Sequence, residues 1–232
     1  SSSSAASDVY KRQLLQTMEK ATVFFEQNLE NSNLAKSYIE KRGISKDSAK
    51  KWRIGFIEDE WRKLYNFLEG QGFTKEEMLN AGLIKKAPTR EAVGEPTVNV
   101  GLDRYYDTFR SRIMFPIFDS AGRVIAFSGR LLGENDKAPK YLNSPETEIF
   151  RKSEVLYGFH VAKNVIRKLD YTVIVEGQID IVLSHQAGVS NTVASSGTSI
   201  TEEHLKKIQK LSNRVIIGYD LSLIHISEPT RQ

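Results

Sequence analysis

The sequence contains no cysteine, which removes disulfides, thiolate zinc sites and cysteine nucleophiles together. Histidine is scarce as well. The four present, His160, His185, His204 and His225, are scattered, and none forms a pair at a metal-binding spacing. Any metal would therefore be held by carboxylate oxygens, which points to Mg2+ or Mn2+ and away from zinc. Long apolar runs are also missing: the longest are about five residues, against the roughly 20 needed to span a bilayer. No basic segment leads into an apolar stretch at the amino terminus, so no secretory signal is recognised. These absences predict a cytoplasmic protein with no membrane partner.

What is present suits a globular chain. The 232 residues are 40% hydrophobic and 27% charged, enough apolar surface for a sizeable core. At roughly 100–200 residues per domain, one large domain or two smaller ones are expected. The net charge of +4 suits a nucleic-acid or nucleotide partner, although a mild excess of this kind is common in proteins without one.

Both ends differ in texture from the middle. Residues 1–13 open with Ser and Ala and show no periodicity, and residues 221–232 continue neither strand nor helix. Both resemble non-native read-through, with a natural disordered head and tail as the alternative. Between them, Leu14, Leu15, Met18, Val23, Phe24 and Phe25 follow a helical period. Short helices are predicted over Leu34–Lys41, from Ser45 as N-cap to Trp52, over Trp61–Leu68 and over Thr74–Ala81. Lys85–Val100, with Pro88, Gly94 and Pro96, reads as loop. Arg112–Phe118 and Arg123–Ser128 flank the turn residues Asp119–Gly122, a β-hairpin pattern. A helix is predicted from Ser153 or Val155 to Leu169.

Beyond Tyr171 strands and helices alternate: strands at Thr172–Val175, Thr192–Ala194 and Arg214–Tyr219, helices at Gln178–Ala187 and Thr201–Leu211. Alternation of this kind indicates a parallel sheet, which places ligands at the carboxyl ends of its strands. Three acids stand at those ends. Glu176 follows the run TVIV, Asp180 lies in the first turn of the next helix, and Asp220 ends the later strand. Converging carboxylates repel one another unless a divalent cation lies between them. Taken singly, each has a plainer reading: a solvated strand end, a helix-dipole partner, the start of a turn. Ser199 and Glu202 fit a capping box, and the glycine-containing turn before them could alternatively hold phosphate. Upstream, Arg110, Arg112, Arg130, Lys140, Arg151 and Lys152 are interleaved with Tyr105, Tyr106, Phe109, Tyr141 and Phe150. Cations meet phosphates and rings stack on bases, so the mixture suits a single-stranded nucleic-acid track. Core aromatics and solvated charges are the alternative.

Several strings resemble a known family. Glu176-Gly-Gln-Ile-Asp180 with Asp220 is similar to the Toprim motif of primases, topoisomerases and some nucleases. Tyr38-Ile-Glu-Lys-Arg-Gly43, Phe109 to Ile117, Gly122 to Arg130, Val193 to Ser199 and, above all, Pro139-Lys-Tyr-Leu-Asn-Ser-Pro-Glu146 resemble the RNA-polymerase core of DnaG-type bacterial primases. The resemblance implies an α/β fold: a mixed α/β amino-terminal subdomain (14–169) followed by a partial, Rossmann-like Toprim subdomain (170–220). It implies synthesis of short RNA primers from ribonucleoside triphosphates on a single-stranded DNA template at bacterial replication forks. It also implies a two-metal Mg2+ or Mn2+ site on Glu176, Asp180 and Asp220, with no zinc in this segment. Arg42, Arg130, Lys140, Asn143 and Lys152 match family positions for nucleotide or template contact, and Arg110 and Arg112 belong to the same basic series. A replicative helicase would be met through a region not represented in the chain.

Three departures stand out. Gln178-Ile179 replaces Tyr-Met, Thr108 stands where arginine is common, and Leu221-Ser222 replaces Gly-Asp after Asp220. The last raises the alternative of an incomplete, inactive core that only binds single-stranded DNA. Another Toprim enzyme, a nuclease or topoisomerase, is the remaining alternative.

Overall fold

The computed structural model describes residues 2–87, 105–133, 138–195, 197 and 199–219, with side chains from Ala5 onward. The apolar stripe noted in the sequence forms the inner face of one long helix, α1 (Ser2–Asn31), burying Leu14, Met18, Ala21 and Phe25. The helix begins at Ser2, so the Ser/Ala-rich head that showed no periodicity is helical. Ala favours this strongly and Ser permits it, and Tyr10 packs against the first core cluster. Helix α1 lies directly on strand β1 (Gly55–Ile57). A Cβ at Gly55 would fall 2.4 Å from the Cβ of Phe25, so only a hydrogen lets helix and strand approach this closely. Arg53, next to β1, adds ion pairs to Glu19 and Glu26 of α1, each at 2.8 Å.

The short helices fall close to where they are expected. Helix α2 (Asn33–Lys41) is capped by Ser32 and ends before Gly43, whose φ of 80° suits glycine. Helix α3 (Lys46–Lys51) is capped by Ser45, as expected. Helices α4 (Lys63–Gly70) and α5 (Lys75–Asn80) follow, α5 with a Thr74–Glu77 capping box. Arg62 does not cap α4. The task falls to Asp107, whose carboxylate accepts the Leu64 and Tyr65 N–H groups at 2.8 and 2.9 Å.

Lys85 and Lys86, expected in a loop, belong to strand β2 (Ile84–Lys86), which pairs antiparallel with β3 (Tyr105–Asp107). The rest of that loop, with Pro88, Gly94 and Pro96, lies outside the described residues. The hairpin forms as predicted, from β4 (Arg112–Phe118) and β5 (Val124–Leu131). Strand β1 pairs with one side of it and β6 (Tyr141–Asn143) with the other, giving a sheet of order β1-β4-β5-β6.

The carboxy-terminal elements are α6 (Phe159–Leu169), β7 (Thr172–Val175), α7 (Gln178–Gln186), β8 (Thr192–Ala194), α8 (Glu202–Gln209) and β9 (Val215–Gly218). The strands form a parallel sheet of order β8-β7-β9, consistent with the expected α/β class and Toprim fold. Two boundaries differ from expectation. Helix α6 starts at Phe159 because the preceding segment is held by α8: His204 Nε2, Thr201 Oγ1 and Lys207 Nζ bond the carbonyls of Lys152, Ser153 and Glu154. The N-cap of α8 is Thr201 with His204 as its box partner, not Ser199 with Glu202. Among the described residues, no helix is long and apolar enough to cross a membrane.

The two sheets share a core. Trp52, Ile113 and Phe115 cluster with Val175, Ile181, Val182 and Ala194. Three histidines at or near this joint, His160, His185 and His204, have pKa values lowered by burial, His160 to about 4. His160 faces Asp119, His185 and Lys163, and its Nδ1 has no hydrogen-bond partner among the described residues. In the unfolded chain such a group binds its proton near pH 6.5, whereas the folded chain takes it up only near 4. Its contribution to stability is therefore present above 6.5 and lost as the pH falls toward 4. Asp107, raised by burial to about 6, acts in the opposite sense over the same interval. Comparing the wild type with His160→Phe isolates one histidine. The phenylalanine keeps contact with Phe118 and Trp52, and denaturation midpoints between pH 7 and 5 should fall less steeply in the variant than in the wild type.

Candidate functional site

Strand β7 is the central strand of the parallel sheet, so the residue that follows it emerges between two neighbouring strand ends. That residue is Glu176. The register pairs Val175 with Gly218 of β9 and with Ala194 of β8. Gly177 caps α7, and Asp180 in the first turn accepts the Gly177 N–H at 3.2 Å. Glu176 and Asp180 are both exposed and line one side of a cleft of about 740 Å³. Asp220 and residues 221–232 lie outside the described residues.

The four-stranded antiparallel sheet and the end of α2 supply the other side. Arg42, Arg130, Lys140, Tyr141 and Asn143 line it, and Gly197 and Tyr219 complete the rim. A Cβ at Gly197 would come within 3.0 Å of Asn143 Nδ2. Arg130 is only 6% exposed. Its guanidinium donates to the hydroxyls of Tyr38 and Tyr141 and lies over both rings. Tyr141 is held above its usual pKa, first by burial and further by the charge of Asp180, while Arg130 opposes the rise. It therefore stays a neutral donor. The two sides are joined at one end, where Gln186 of α7 accepts the Ser45 N–H and donates to the Gly43 carbonyl, both at 2.9 Å.

Of the residues expected to act at a site, Glu176, Asp180, Arg42, Arg130, Lys140 and Asn143 line this cleft. Three do not. Arg112 is 3% exposed, and its guanidinium donates to the carbonyls of Gly129 and Pro139 at 2.9 Å and Lys140 at 3.4 Å. With its donors on backbone oxygens, it props up the segment that carries Lys140 and does not face the cleft. Arg110 stacks on Trp61, 3.7 Å from the ring centroid. Lys152 sits on the loop held by α8, its N–H bonded to Glu146 and its carbonyl to His204. Tyr38 is not among the residues expected at the site, although it meets both Arg42 and Arg130. Tyr38 had a readable signal: it precedes Arg42 by four residues, the spacing that puts a cation over a ring on a helix.

Among the described residues, no group of three or more His, Asp or Glu side chains could hold a metal ion. Glu176 and Asp180 alone still fit Mg2+, which is commonly bound by one or two carboxylates together with substrate phosphates. Chemically the cleft sets hard anionic oxygens against fixed cations, an arrangement suited to a metal-bound polyphosphate.

Residues 24–163 match the family described as DNA primase catalytic core, N-terminal domain, more than half of the chain. The chain belongs to the DnaG primase family. Residues 173–222 match a Toprim-like family. The DNA primase of Clostridium acetobutylicum is 40% identical over 212 residues, covering 91% of this chain and 32% of that protein. The DNA primase of Pseudomonas aeruginosa is 37% identical over 206 residues, covering 88% and 29%. The chain thus spans about a third of the length of the curated primases it matches. Among solved structures, the RNA polymerase domain of Mycobacterium tuberculosis primase DnaG superposes with a TM-score of 0.79 at 32% identity, covering 91% of this chain and 68% of that one. A DnaG primase catalytic domain bound to single-stranded DNA gives 0.75 at 36% identity, covering 90% and 62%.

The role of Arg112 in this primase core can be checked directly. Arg112→Lys keeps the charge but loses the planar fork that reaches three carbonyls. It should destabilise the chain by about 1–3 kcal/mol, read as a lower urea midpoint with an unchanged m-value.

Proposed function

We propose that this chain is the nucleotidyl-transfer core of a primase that joins ribonucleotides into short RNA primers on single-stranded DNA. The observation that carries the reading is the cleft in which Glu176 and Asp180 oppose Arg42, Arg130 and Lys140. In the complete protein, Glu176, Asp180 and Asp220 would hold Mg2+ or Mn2+. When bound, such ions supply charge neutralisation for the attacking hydroxyl oxygen and the leaving pyrophosphate.

The chain's own residues do the rest. Arg42, Arg130 and Lys140 bind and orient the triphosphate, matching its negative charge with forked and point cations. Tyr141 and Asn143 offer neutral donors and acceptors on the same side. Glu176 accepts the proton of the primer 3′-hydroxyl as the hydroxyl oxygen bonds to the α-phosphorus and the bond to pyrophosphate breaks. A contact with a replicative helicase is assigned to regions outside residues 14–220.

The template path we propose includes Trp61. Its indole is 63% exposed, lies under the Arg110 guanidinium and meets the edge of Tyr106. An exposed ring with a stacked cation is the pairing that holds a single-stranded base and its phosphate. This platform also favours a second reading, in which the chain by itself holds single-stranded DNA without catalysing transfer.

Two experiments test these assignments. In the complete protein, Glu176→Gln or Asp180→Asn should abolish primer synthesis and leave affinity for single-stranded DNA within about twofold; wild-type primer yield from either would sink the assignment of the acids. Trp61→Ala should weaken binding of single-stranded DNA by about 5- to 100-fold, the range for loss of one stacked base. The slope of log affinity against log salt should stay unchanged in that variant and become shallower in Arg110→Ala.

A further inference from the structure

We infer that Tyr38 is a positioning residue that aims two guanidinium groups at the nucleotide. The inference rests on the reading of the cleft proposed above. Tyr38 is not among the residues that line the cleft, yet both arginines on the basic side converge on it. Its hydroxyl accepts from Arg130 Nε, and the Arg42 guanidinium carbon sits 5.3 Å from its ring centroid. The two arginines come from different elements, Arg42 from the end of α2 and Arg130 from β5.

The physical case follows from what an arginine side chain does when left alone. It has several rotatable bonds, and fixing it at the moment of binding costs affinity. Arg130 is held from both sides by phenol oxygens, Tyr38 at Nε and Tyr141 at one terminal nitrogen. That leaves N–H groups of the fork to meet a phosphate. Arg42 is exposed and depends on the Tyr38 ring for direction. Tyr38 itself is anchored because its helix buries Ala35 and Ile39 in the core shared by both sheets. Tyr38 thus converts the rigid packing of α2 into a fixed spacing of positive charge opposite Glu176 and Asp180.

The test uses the chain as it stands, with MgATP as probe and binding followed by calorimetry. Tyr38→Phe removes the bond to Arg130 and keeps the ring beneath Arg42. It should raise the dissociation constant about tenfold, as expected for loss of a hydrogen bond to a charged group, with little change in melting temperature. Tyr38→Leu should cost more, and its extra loss should vanish in an Arg42→Ala background, because a residue acting through another loses its effect once that partner is gone. Unchanged affinity in Tyr38→Phe, or strictly additive losses in the cycle with Arg42→Ala, would overturn the inference. If the wild type and Arg130→Ala bind MgATP equally, the reading of the cleft fails, whatever Tyr38 does. A readout independent of nucleotide is the Arg130 Nε–H resonance. It should exchange slowly in the wild type and quickly in Tyr38→Phe; fast exchange in the wild type removes the basis of the inference.

Discussion

The indole of Trp52 is the joint on which the cleft depends. It is 2% exposed and stacks on Tyr157 at 5.4 Å, while His185 and His160 meet it edge-on at 5.0 and 6.3 Å. Those partners come from α7, from α6 and from the segment before it, so one side chain from the end of α3 sets the position of the parallel sheet. The fit is close enough that a Cβ at Gly158 would lie 2.4 Å from Ile181 and 3.0 Å from the indole. Close packing of this kind transmits position without slack. The acids at the end of β7 therefore stand at a fixed distance from the cations carried by the other sheet.

Charge follows the same division. The end of β7 and the first turn of α7 contribute carboxylates to the cleft, and the end of α2, β5 and the residue before β6 contribute the guanidinium and ammonium groups. Among the described residues, no ion pair joins the two sets across the cleft. Two buried arginines of the β4–β5 hairpin show how one residue type serves different ends. Arg112 places its fork on backbone carbonyls and supports the Pro139–Asn143 segment, whereas Arg130 keeps its fork at the cleft edge between two phenols. Burial of either charge is tolerable only because hydrogen bonds replace the lost water.

Much of the fold was legible because its signals are local. The hairpin at Asp119–Gly122, the runs TVIV and TVA, and the cap at Ser45 all state their conformation within a few residues. The three-residue strands β1, β2, β3 and β6 were not legible, since each is defined by its partner and, unlike β8, stands outside any strand–helix alternation. The start of α6 was misjudged for a related reason. Residues 152–154 have a helical composition, but their carbonyls are taken by His204, Thr201 and Lys207, about 50 residues away in the chain. Thr201 prevailed over Ser199 as the cap of α8 because its partner, His204, also bonds that distant loop.

The sequence by itself determined the family, the α/β class and the pair Glu176 and Asp180, because a strand-ending acid followed by another in the first helical turn is a local pattern. It also marked Arg42, Arg130, Lys140 and Asn143 through the strings that contain them. It could not separate Arg112 from Arg130, two arginines on adjacent strands of one hairpin. Only the tertiary structure decided that one turns to the Pro139 and Lys140 carbonyls and the other to Tyr38 and Tyr141. The reason is physical: a guanidinium goes where acceptors compensate its burial, and those acceptors come from segments that meet it only when the chain is folded.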